Sequence, residues 1–164
     1  MGGAYDTKRK TSAKWTILVA VLMFVAIMVF SQNNDSDSDL TPVSEPMSGQ
    51  ILSGYENHSG SEITVSASNS ESCIVKLKTS SGIERLSFYV RAGDTVTVGV
   101  PSEYLYVYFA SGNTWYGDKH LFGEDTDYQM VKNTRDFVDY TWSFTLYEVR
   151  DGNLSLKTID KDDF

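Results

Sequence analysis

Few side chains in this chain can start chemistry. Cys73 is its only cysteine, and His58 and His120 are its only histidines. A thiol nucleophile needs a base or a cation beside it, so Cys73 with His120 is the combination to weigh. Glu124, Asp125 and Asp127 place three carboxylates within four residues, the hard oxygen ligands that Ca²⁺ takes. Trp115, Tyr116, His120 and Phe122 crowd one glycine-punctuated segment, and Tyr104, Tyr106 and Tyr108 share one phase of a strand pattern. Aromatic groups of this kind suit protein or glycan contacts, because they offer large area at little entropy cost.

Each feature also has a plainer reading. A lone cysteine inside an alternating apolar pattern is expected to be a small buried residue. Sortase-type transpeptidation needs a late cysteine, after its histidine, in a Thr-Leu-Xaa-Thr-Cys context with an arginine beyond; here Ser72-Cys73 precedes His120. No Gly-Xaa-Ser-Xaa-Gly elbow, His-Glu-Xaa-Xaa-His pair, zinc-type Cys/His spacing or phosphate-binding glycine loop occurs. The acidic trio lacks the one-residue alternation and closing glutamate of an EF-hand loop, so a solvated acidic loop is the first expectation and calcium the weaker one. No catalytic residue, enzyme activity or cofactor is expected.

The elements that position these residues read as strands. Ile63, Val65 and Ala67 alternate with polar neighbours, as do Cys73, Val75 and Leu77, although Ile74 breaks that phase. Leu86, Phe88 and Val90 follow, then a turn at Ala92-Gly93-Asp94, then Val96, Val98 and Val100. Pro101 ends that run, since it has no N–H for a ladder. Leu105, Val107 and Phe109 oppose the three tyrosines; Trp142, Phe144 and Leu146 alternate later, and a last strand is expected around Leu154–Ile159. Short strands and brief turns without an amphipathic helix predict an all-β antiparallel sandwich of about six or seven strands.

The long connection Ser111–Asn133 departs from that rule, and long ordered loops are often functional. Within 111–128 the aromatic residues either plug one end of the sandwich or form a ligand surface. Exposure decides: buried rings end the binding reading.

Upstream lies the apolar run Trp15–Phe30, preceded by Lys8, Arg9, Lys10 and Lys14 and followed by Asp35, Asp37 and Asp39. Its ten Ile, Leu, Val and Phe residues favour insertion by roughly 3–6 kcal/mol. With Ser31 and Gln32 it reaches the length of a short spanning helix. The basic flank predicts a single-pass signal-anchor in the cell membrane, with a cytoplasmic N-terminus and an extracytoplasmic remainder. The alternative is a cleaved signal peptide, for which Val29-Phe30-Ser31 is a weak site. The expected organisation is a basic tail over 1–14, an anchor over 15–32, a flexible linker over 33–60 and a β-sandwich over 61–164. The linker assignment rests on the Ser, Asp, Asn and Gly of this stretch, with Pro42 and Pro46.

All but four of the 14 basic residues, and all but one of the 22 acidic residues, follow the anchor. An acidic outer portion argues against a nucleic-acid partner, which needs a basic face. The expected contacts are the lipid bilayer through residues 15–30 and an envelope protein or glycan. With one cysteine, no internal disulfide supports the fold.

The runs Phe88-Tyr89-Val90-Arg91-Ala92-Gly93-Asp94-Thr95-Val96, Ala110-Ser111-Gly112-Asn113-Thr114-Trp115-Tyr116-Gly117 and Leu121-Phe122-Gly123 with Thr126 carry a resemblance. Together with Asn153-Leu154-Ser155 and Asp162-Asp163-Phe164, they resemble an uncharacterised bacterial β domain. That domain stands at the C-terminus of small membrane-anchored proteins and of some J-domain proteins. The likeness covers about 61–164 and departs at Ser102-Glu103-Tyr104-Leu105, where the family has a Gly-Xaa-Tyr turn. It implies a shared fold and a bacterial envelope setting, and carries no active site with it. The reading that follows is a membrane-anchored, non-catalytic interaction or structural module, with glycan or peptide binding through 111–128 as the alternative.

Overall fold

Alternating apolar residues form strands here because each pleat buries one side of the chain. The structure, a computed structural model, describes residues 40–57, 60–147 and 154–164. The strands are β1 (Ile51–Gly54), β2 (Ser61–Ser66), β3 (Ser72–Lys78), β4 (Glu84–Val90), β5 (Thr95–Val100), β6 (Tyr104–Gly112), β7 (Asp127–Val131), β8 (Arg135–Asp136), β9 (Trp142–Thr145) and β10 (Leu156–Thr158). A seven-stranded sheet has the order β1-β4-β3-β6-β7-β10, with β8 also paired to β6. A three-stranded sheet has the order β5-β2-β9. The anchor assigned to 15–32 lies outside the described residues; among those described, no helix is long and apolar enough to cross a membrane.

The two sheets enclose one core. Ile63, Val65, Val98, Val100 and Phe144 from the smaller sheet meet Val75, Leu77, Leu86, Phe88, Val107 and Phe109 from the larger. The phase of Leu105, Val107 and Phe109 read from sequence is the phase that points inward. The outer face of the small sheet is polar: Thr64 and Thr97 share a hydroxyl hydrogen bond of 2.8 Å, as do Ser66 and Thr95. One pairing departs from the antiparallel expectation. β9 runs parallel to β2, with Phe144 opposite Val65, because the chain reaches the small sheet from the large one rather than through a hairpin.

A second correction concerns the larger sheet, which is covered on both faces. Ile74, Tyr89 and Ala110 point away from the inter-sheet core into a second apolar cluster with Trp115, Phe122, Ile159 and Phe164. Ile74 thus does not break a pattern; it serves the other face of a strand buried on both sides.

The third correction concerns the linker. Its residues 40–57 are part of the fold. β1 pairs antiparallel with β4, with Ile51 opposite Phe88. Gly49 N donates to Tyr89 O at 2.8 Å, and Tyr89 N donates to Gln50 O at 3.0 Å. Arg91 donates from Nε to Pro46 O at 2.7 Å and from Nη2 to Glu45 O at 3.0 Å. Polar composition hid this segment, because its hold on the sheet is mostly through backbone groups, which any side chain permits.

Candidate functional site

The aromatic loop begins where β6 ends. Gly112 lies beneath Phe122, and a Cβ added there would stand 2.4 Å from the Phe122 Cβ. The chain then turns tightly: Leu121 N donates to Gly117 O at 2.8 Å and Tyr116 N to Leu121 O at 2.7 Å. Gly117 (φ 90°), Leu121 (φ 50°) and Gly123 (φ 75°) take left-handed conformations. For Leu121 that geometry costs about 1 kcal/mol or more, offset by packing of its side chain against the second cluster. A 3-10 turn over Gly123–Asp125 leads into β7. Thr126 Oγ1 donates to Gly123 O at 2.7 Å and accepts from Phe122 N at 3.2 Å.

This geometry inserts the loop's rings into the fold. Trp115 is 3% exposed and Phe122 2%. Tyr89 and Trp115 meet edge to face at 5.2 Å, and Trp115 and Phe122 at 5.4 Å. Val43 N donates to Trp115 O at 2.9 Å, so the 40–57 segment also holds the loop. Trp115 and Phe122 are therefore packing residues, and their place as ligand contacts is withdrawn. Tyr116 is half-buried with its ring against Gly123. His120 is half-buried too, its N–H bonded to Gly117 O at 3.2 Å.

The β6 tyrosines do not join the loop in one ligand surface. Tyr104 is 61% exposed at the opposite end of β6 from the loop. Its hydroxyl bonds the Asp136 carboxylate, which raises its pKa. Tyr106 is half-buried, and Tyr108 packs beside the second cluster with the Lys78 ammonium 4.8 Å from its ring centre. Burial, then the Lys76 charge, lowers the pKa of Lys78.

The acidic trio does not converge. Glu124 and Asp125 are exposed on the 3-10 turn, whereas Asp127 is the first residue of β7, opposite Ser111, and accepts from Gln129 Nε2 at 2.6 Å. Among the described residues no group of three His, Cys, Asp or Glu side chains is placed to hold a metal ion. Strand register separates carboxylates that sequence places side by side.

Cys73 faces the inter-sheet core, while His120 belongs to the loop over the other face of the sheet. Burial pushes the Cys73 thiol from 9.0 up to about 12. Folding thus favours the protonated form, and this contribution falls away as pH climbs from about 9 toward 12. Iodoacetamide at pH 8 is expected to leave Cys73 unlabelled in the folded chain and to label it fully in urea. Labelling at equal rates in both would contradict the burial.

Tyr89 is the residue sequence reasoning missed. It is fully buried as the sheet's member of the aromatic trio, and burial drives its pKa upward. The unbroken Phe88-Tyr89-Val90 run was the available signal, because continuous apolar strands are those buried on both faces. Comparison with known protein families, with curated proteins and with solved structures finds no match for this chain.

Proposed function

We propose that the chain is a membrane-anchored, non-catalytic interaction module that stands outside the cytoplasmic membrane of a bacterial envelope. The anchor and its direction rest on Trp15–Phe30 and the basic residues before it; the bacterial setting rests on the family resemblance. The observation that carries the choice between the two binding readings is the burial of Trp115 and Phe122 on Tyr89. Rings committed to packing cannot stack on a sugar, so a glycan site on this loop is not favoured. The same burial gives the domain a second core, which suits a platform that must persist without disulfides outside the cell.

Under this reading attachment to the bilayer raises the effective concentration of surface-bound partners for the module.

Protease added to intact cells, with any outer envelope permeabilised, is expected to cut within 33–39 or degrade the β domain while sparing a cytoplasmic marker. A domain that stays protected until the cytoplasmic membrane is lysed would overturn the orientation.

A further inference from the structure

On the outer face of the large sheet, one cross-strand row is apolar: Tyr89, Ile74 and Ala110 belong to the second cluster. The next row turns polar, with Ser53 of β1, Ser87 of β4 and Lys76 of β3 side by side. The register of β1 slips between Ile51 and Ser53. Such a bulge turns consecutive side chains to one face, and Leu52 and Ser53 both line a recess of about 180 Å³. Leu52, Ile74 and Leu121 form its apolar wall, while Lys76, Glu84 and Asp118 supply its charges. The lining comes from β1, β3, β4 and the turn at 117–121, each described without a break.

Packing does not require charge at this place. Ser87 is buried, and Lys76 and Glu84 are mostly covered. Aliphatic groups of the same size would extend the second cluster over the β1 edge, and an ion pair so placed adds little stability beside them. Burial works against the charge on Glu84. The Ser53 hydroxyl, the Lys76 ammonium at 3.4 Å and the Ser87 hydroxyl outweigh that effect and hold its pKa below the usual carboxylate range. The recess therefore keeps a fixed, ionised group at a strand position where the fold has no use for one.

The charges do not balance. Lys76 answers Glu84, and the next charges along the face, Lys78 and Asp163, offset each other. The Asp118 carboxylate is left over, exposed and bonded to no side chain among the described residues. The volume lies below the roughly 300–1,000 Å³ that whole small-molecule ligands occupy, so it suits a single long side chain. An aliphatic wall with one surplus negative charge selects an aliphatic stem that ends in a cation.

We propose that this recess is a subsite for a lysine side chain of a partner protein: the methylene stem lies along Leu52, Ile74 and Leu121, and the ammonium pairs with Asp118. Lysine fits better than arginine because its compact head needs no free carboxylate fork. A basic partner is the occupant rather than a second copy, because a chain of net charge −8 repels itself.

The proposal deepens the interaction-module reading and rests on it, but not on the direction of the anchor. The probe is Nα-acetyl-lysine methylamide, titrated against the full chain in detergent micelles with its isoleucine and leucine methyl groups labelled for NMR. Saturable shifts of the Leu52, Ile74 and Leu121 methyl resonances are expected, with half-saturation at about millimolar probe. The Nα,Nε-diacetyl analogue keeps the stem without the charge and should bind about tenfold more weakly or worse. Asp118→Asn should remove that preference, and an exposed side chain with no described bond can be changed without disturbing the fold. Comparison of the two probes on the unaltered chain stands apart from the variant. Absence of saturable shifts at these methyl groups, equal affinity for both probes, or an unchanged preference in Asp118→Asn overturns the site. Tighter binding of butylammonium, the same stem without the amides, assigns the recess to a free amine and overturns the partner. A protected domain in the protease experiment would leave the titration standing, and a silent titration would leave the topology standing.

Discussion

Trp115→Ala will lower the unfolding free energy by about 3–5 kcal/mol, the usual loss for a buried large aromatic. The indole is 3% exposed and sits between Tyr89 and Phe122 at ring distances of 5.2 and 5.4 Å. Its removal leaves a cavity under a loop whose backbone is already held in three left-handed turns. That loop cannot collapse easily to fill it, which puts the loss at the upper end. The measurement is the urea midpoint of the β domain, read by hydrogen exchange at core strands, with Tyr104→Ala as the comparison. Tyr104 is 61% exposed, and its loss should leave the midpoint close to that of the unaltered chain. Equal midpoints for the two variants would return Trp115 to the list of surface residues and reopen the loop as a binding site.

A chain that begins at Ser61 will fail to fold, whereas one that begins at Asp39 will fold. Removing 40–60 strips β1 from the edge of β4 and leaves the backbone of Tyr89 without Gly49 and Gln50. It also removes Ile51 and Leu52, which pack on the first and second clusters, and releases Arg91 from Glu45 and Pro46. Each backbone bond contributes about 1 kcal/mol, and each half-buried aliphatic side chain about another. The sum exceeds roughly 5 kcal/mol, comparable with the whole stability of an ordinary domain. Dispersed amide resonances from the Ser61 chain, matching those of the Asp39 chain, would show the segment to be dispensable.

These two experiments fall where sequence and fold diverge. Strands β2 to β6 and β9 were legible because each shows an apolar period of two, against Thr, Ser, Lys or Arg in most of them and against Tyr104, Tyr106 and Tyr108 in β6. Pro101 marked the end of β5 for a covalent reason, its missing N–H. β1 and β7 were not legible. Ile51-Leu52-Ser53-Gly54 is too short to show a period, and Asp127-Tyr128-Gln129 turns polar groups toward the inner face. The candidate site was half legible. Gly112, Gly117 and Gly123 announced a tightly folded aromatic loop, but spacing along a chain does not say whether a ring points at solvent or at a sheet.

The sequence by itself determined that Ser61–Ile159 forms short strands around an inter-sheet core, that one cysteine cannot be stapled, and that charge changes sign along the chain. These follow from local alternation, covalent geometry and composition, which act residue by residue. Only the tertiary structure decided that the large sheet is buried on both faces, that 40–57 belongs to the fold, and that Trp115 packs on Tyr89. Each of these depends on which surface meets which across distant parts of the chain, and a pleat's period does not carry that information.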